Sequence, residues 1–171
     1  MHPIVEKVAK ALLLERRLLV HAQSGLLLLV RLVWGWQFFL TGKGKLGKLP
    51  QVTEFFASLM VVGRFHMPKP GLNAAIAGTT EMLGGLLLLL GLGGRVATIP
   101  LVFTMLVAYA TAHYGEITQG WADDKFLDAF VGAAPFPFLM ASLLVLAFGA
   151  GKLSLDHLIA RWWEKQAPRA A

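Results

Sequence analysis

Four apolar stretches separated by short polar segments limit this chain to very few folds. The bilayer core is about 30 Å thick, so a crossing helix needs about 20 mostly apolar residues. Stretch 18–40 contains one charge, Arg31, and stretch 72–92 contains one, Glu81. Stretch 96–113 ends at His113, and stretch 133–151, inside the uncharged run Ala129 to Gly151, holds none. Lipid offers no partners to backbone amides, so helices are expected. Consecutive leucines such as Leu26 to Leu29 lack the alternation of a barrel strand. Composition agrees. Charged residues are 15% and hydrophobic residues 56%, with a mean hydropathy of +0.62, whereas soluble domains carry about 25% charged residues. A soluble enzyme, a disordered chain and a secreted mini-protein are thereby disfavoured. The length of 171 residues suits one domain over 1–171, an all-α integral membrane four-helix bundle. With no cysteine, a disulfide framework, a thiolate zinc site, a CxxC pair and a cysteine nucleophile are excluded within the chain.

The flanks add three features. Ile4, Val5, Val8, Ala11 and Leu12 share a helical face, which predicts a short interfacial N-terminal helix leading into the first span. Arg31 within that span, and the lack of a small-residue cleavage site after it, argue that it is retained rather than removed as a signal peptide. The first outer loop, Thr41 to Gly71, opens with Gly and Lys in alternation. Its middle, Val52 to Val62, is apolar but too short to cross, so a helix at the interface is expected there. The tail from Ser154 predicts an amphipathic helix, with Ser154 as its cap and Arg161, Trp162, Trp163 and Lys165 suited to headgroups.

Four spans place both termini and the turn at Gly93 to Arg95 on one side. That side carries nine Lys and Arg, Arg169 among them, against six on the other. The bias predicts a multi-pass membrane protein with both termini in the cytoplasm. The net charge of +6 and pI near 9.9 read as orientation and anionic-lipid contact, with no nucleic acid as partner.

Arg31 lies two residues from the midpoint of 18–40, and Glu81 lies one from that of 72–92. A lone charge at that depth costs at least about 2.5–3.5 kcal/mol. Opposite charges at one depth should pair, so a buried Arg31–Glu81 salt bridge in the bundle core is expected. It serves function or merely fixes register. Ala77, Gly78, Gly84 and Gly85 surround Glu81 at helical spacing, and Gly35 follows Arg31, leaving room for a guanidinium or a ligand. Gln37, Lys43, Lys45, Thr79, Thr80, Tyr109 and His113 lie outward and are expected to line a cavity above the pair. The histidines show no metal-ligand spacing. Pro135 and Pro137 should open the fourth helix.

The runs RLVWGWQFFLTGKGKLGK (31–48), AGTTEMLGGLLLLLGLGGR (77–95), MLVAYATAH (105–113) and PFPFLMASLLVLAFGAGKLSLD (135–156) together resemble the DoxX family. Its elements are an Arg and Gly with a following G-x-G-K, an E-x-x-G-G, a His ending the third helix and a G-x-G-x-x-S-L-D after the fourth. The resemblance implies a four-helix bacterial membrane protein related to the membrane subunit of thiosulfate:quinone oxidoreductase. Arg31, Gly35, Lys45, Glu81, Gly84, Gly85 and His113 match the family pattern.

Three functions compete. The first is a membrane subunit of a quinone-linked redox system. Glu81, Arg31 and His113 would do its chemistry, and Gly35, Gln37, Lys45, Thr80, Gly84, Gly85 and Tyr109 would bind the ligand. The chain shows no cofactor motif of its own, so a quinone and a redox partner protein are the expected associates. The second is a module that binds or transports a small anion or a lipid. The third is a non-catalytic anchor for a redox complex. The bilayer is a partner in every case, and a homo-oligomer is compatible with each.

Overall fold

The computed structural model describes residues 3–166. The side chains of residues 3–14 and 16–18 lie outside that description, as does Arg169. The apolar face expected on Ile4 to Leu12 and part of the charge count therefore lie outside it too.

Helix α1 (Pro3–Gly47) runs unbroken through both the segment expected as a separate interfacial helix and the first span. It also continues seven residues past Leu40, through the Gly-Lys run read as loop. Helix α2 (Leu49–Ser58) and a small antiparallel hairpin, β1 (Met60–Val61) with β2 (Phe65–His66), complete the first connection. Helix α3 (Pro70–Leu90) starts at a proline, whose missing amide is cheapest there, and stops at Gly91 with φ of +67°. After a tight turn come α4 (Gly94–Ala110) and α5 (Tyr114–Ala122), then α6 (Phe126–Gly132), α7 (Pro135–Phe148) and α8 (Leu155–Gln166).

Among the described residues, two helices are long and apolar enough to cross a membrane alone, α1 over Leu19–Gly47 and α3. The α4–α5 and α6–α7 pairs qualify only as bent units, with angles of 62° and 79°. Four passes result when each bent pair counts as one. Outward faces are apolar as hydrocarbon requires, with Leu26, Leu83, Val96, Ile99 and Leu106 all exposed.

Glycine sets the main helix crossing. A Cβ on Gly35 would meet the Leu89 amide at 2.8 Å and the Gly85 carbonyl at 3.0 Å, and Gly42 presses against Gly78 and Met82 in the same way. Each helix thus offers two glycines seven residues apart, about two turns, and the antiparallel backbones meet at both levels. That Gly42 contact explains why the helix persists past Leu40: a residue that reads as a breaker in sequence is a packing surface here. The core between the α1–α3 pair and the α4–α7 pair is aromatic. Phe38 and Trp34 meet Phe138 edge to face at 4.8 and 5.3 Å.

Candidate functional site

The antiparallel α1–α3 register decides which charges meet. With Gly35 opposite Gly85 and Leu89, and Gly42 opposite Gly78 and Met82, Glu81 lies across from Thr41. Arg31 is about ten residues further along, roughly 15 Å at the helical rise. The expected Arg31–Glu81 salt bridge therefore does not form. Glu81 Oε1 instead receives Lys45 Nζ at 2.5 Å. The hydropathy midpoint of 18–40 placed Arg31 mid-membrane. Each charge lies near the middle of its own stretch, but the α1–α3 register sets Arg31 beside the α3 end at Leu88 and Leu89, and Glu81 beside Thr41.

Arg31 is 2% exposed and binds backbone only. Its Nε donates to the Leu88 carbonyl at 3.0 Å, Nη1 to Leu153 at 3.0 Å and also to Ala150, and Nη2 to Leu89 at 3.3 Å. The guanidinium fork thus ties the last turn of α3, where the Leu88 carbonyl also accepts the Gly91 N–H, to the loop after α7. Asp156 completes the junction. Its two oxygens accept from Gly93 N–H at 2.7 Å and Gly94 N–H at 2.9 Å, capping α4, while its own amide donates to the Gly91 carbonyl at 3.0 Å. Ser154 Oγ accepts from His157 N–H at 3.2 Å and starts α8 as expected. The G-x-G-x-x-S-L-D run and Arg31 are therefore one structural joint.

At the opposite end lies a cavity of about 750 Å³, within the range of small-molecule sites. Its walls are mostly apolar: Phe38 on α1, Phe55 and Phe56 on α2, Met105 on α4 and Phe138 on α7. The polar groups are few and convergent: Thr41 and Lys45 from α1, Asn73, Thr80 and Glu81 from α3, Thr111 and His113 at the end of α4. Glu81 is 2% exposed, and its Oε2 has no hydrogen-bond partner among the described residues. Lys45 comes from the Gly-Lys run and keeps about a third of its side chain accessible. The His113 ring bonds outward, Nδ1 lying 2.9 Å from Glu116 Oε2.

Of the residues singled out from sequence, the cavity brings together Glu81, Lys45, Thr80 and His113. The others have different places. Arg31 belongs to the joint. Gly35 and Gly85 form the α1–α3 crossing, and Gly84 accommodates Leu101 of α4. Gln37 is exposed and does not line the cavity. Tyr109 stacks on Phe130 at 4.7 Å and donates its hydroxyl to the Phe130 carbonyl at 2.8 Å, which pins α4 to α6. Thr41 is not among the residues that the sequence points to, and Phe38, which reads there with Trp34, Trp36 and Phe39 as an aromatic belt at the outer end of the first helix, is fully buried instead. The spacing of Phe38, Thr41 and Lys45, at i, i+3 and i+7 on one helix, carried the signal once the helix was known to extend that far.

The DoxX family model matches residues 26–114, more than half of the chain. The chain belongs to the DoxX family. Its matched segment runs from the middle of α1 to the start of α5, so it holds the α1–α3 crossing, the Lys45–Glu81 pair and His113. The chain is also similar to "Putative oxidoreductase CatD" of Bacillus subtilis (strain 168), 25% identical over 134 residues, 77% of this chain and 85% of that one. No solved structure matches. This DoxX-family chain is a membrane protein in which Glu81 and Lys45 meet at the floor of an apolar cavity.

Proposed function

We propose that this protein binds a lipophilic quinone or quinol in the cavity, as the membrane subunit of a redox system, and that the Lys45–Glu81 pair handles its protons. The observation that carries this reading is Glu81, a buried carboxyl in the lining of an apolar cavity whose Oε2 has no hydrogen-bond partner among the described residues. Leaving a carboxylate oxygen unpaired in a dry site is costly, so the arrangement suits a ligand that donates a hydrogen bond. A quinol hydroxyl does so. The oxidised ring offers a carbonyl instead, which the remaining N–H donors of Lys45 suit. Quinone reduction by two electrons takes up two protons, so a paired acid and base beside the ring serve either direction. Electrons come from or go to a redox partner protein, since the chain contains no electron-carrying motif. The oxidoreductase name of the Bacillus subtilis relative supports the same reading.

The small-anion alternative loses ground because Lys45, one of the cations that would attract an anion, is engaged by Glu81. The excess of Lys and Arg on the side of the Arg31 joint supports cytoplasmic termini for a protein of the inner membrane, with the cavity end turned toward the outer leaflet. The test is titration of decylubiquinol and decylubiquinone into nanodiscs holding the purified protein. Saturable binding, weakened at least tenfold by Glu81→Gln, is expected. Binding that is absent, or equal in wild type and variant, would refute the reading.

A further inference from the structure

The α3–α4 hairpin is closed at one end and open at the other. The two helices leave the Gly91–Gly93 turn in contact, with the Leu101 side chain packed against Gly84. Beyond that level they part. Ile76 and Thr80 on α3, and Phe103 and Thr104 on α4, line the same cavity. The outer end of this gap is roofed by α2, through Phe56 and Leu59, and by the hairpin, where Val62 N–H donates to the Ala110 carbonyl at 2.8 Å. What stays open is the side. Ile76 and Phe103 belong to the cavity lining yet are 53% and 67% exposed. They lie on helix faces that also present Leu83, Val96 and Ile99 outward. Glu81 is the only charge on α3, and α4 has none after Arg95, so the rim is apolar at the depth of the hydrocarbon.

We infer that the α3–α4 gap is a lateral portal through which the ligand enters from the bilayer. Its head reaches Glu81, and a single apolar tail passes out between Ile76 and Phe103. The inference rests on the cavity being a ligand site, and it narrows the occupant to a membrane-dissolved molecule with one tail and a hydroxyl-bearing head. The apolar roof and rim account for that choice: a water-soluble solute would have to cross one of them, while a lipid-dissolved molecule is already at the opening.

The absence of native cysteine makes a clean test available. Ala77→Cys and, separately, Thr104→Cys are labelled with bimane and placed in nanodiscs. Each is challenged with phospholipid brominated along its acyl chains and with aqueous iodide. The portal predicts that brominated lipid quenches both labels by at least twofold and that iodide does not; with a quinol as the ligand, decylubiquinol relieves the lipid quenching. Lipid quenching that decylubiquinol fails to relieve upholds the portal and overturns the quinone reading. Quenching by iodide alone, or by neither agent, overturns the portal. Two label sites on different helices keep the result decisive if one variant fails to fold.

Discussion

Arg31 and Glu81 are both nearly inaccessible, yet their surroundings assign them opposite kinds of work. Arg31 places its donors on backbone carbonyls of α3 and of the loop after α7. Arg31→Gln would leave several carbonyls unpaired at about 1–3 kcal/mol each. We expect it to lower the melting temperature clearly while the folded fraction binds quinol as tightly as wild type. A binding loss larger than the stability loss would contradict the structural role. Glu81 has one oxygen on Lys45 and one without a hydrogen-bond partner among the described residues. Removing Lys45 alone strands a buried charge, at about 3 kcal/mol, the lower end for such pairs because Lys45 is partly exposed. Lys45→Met should therefore destabilise more than Glu81→Gln does, as read from thermal melts in detergent. Which partner Glu81 takes was not legible in the sequence. Hydropathy locates where a helix becomes apolar, not the register in which two helices pack.

At the scale of elements, much was legible. The first and second apolar stretches, the proline start of α7 and the amphipathic α8 follow from local composition and capping, and the backbone shows each of them; the helix expected over Val52–Val62 forms at Leu49–Ser58 with a hairpin after it, and the third and fourth stretches reach span length only with α5 and α6. The end of α1 was not legible. Its Gly-Lys run reads as loop until the crossing partner on α3 is known, because glycine serves both turns and close backbone approach. The distinction is testable. Gly42 faces the backbone of α3, whereas nothing lies within 4 Å of a Cβ on Gly44. Gly42→Leu should prevent or strongly weaken the α1–α3 crossing. Gly44→Ala should stabilise α1 by up to about 1 kcal/mol through helix propensity. Equal melting temperatures for the two would contradict the crossing. At the other face, Asp156→Asn keeps a side-chain oxygen but loses charge at the α4 N-terminus. We expect a loss of about 0.5–1 kcal/mol, diminished by salt.

The whole molecule separates its tasks by end. One end is a joint of Arg31, Asp156 and Ser154 that holds α3, α4 and α8 together. The other is a cavity, roofed by α2 and the hairpin and floored by the Lys45–Glu81 pair. Sequence reasoning placed the polar residues of both ends into one site, since every intramembrane charge looks functional when depth alone is known. Coordinates divide them, and Glu81, Lys45, Thr80 and His113 remain with the cavity. The central claim is that the Lys45–Glu81 pair recognises a ligand rather than merely holding two helices. The double substitution Lys45→Met with Glu81→Met separates the two roles, because a hydrophobic replacement of a buried pair is often neutral for stability. The most direct measurement is decylubiquinol binding to this variant in nanodiscs, alongside its melting temperature. We predict a melting temperature near that of wild type with binding weakened at least tenfold; unchanged binding in the folded double variant would contradict the account.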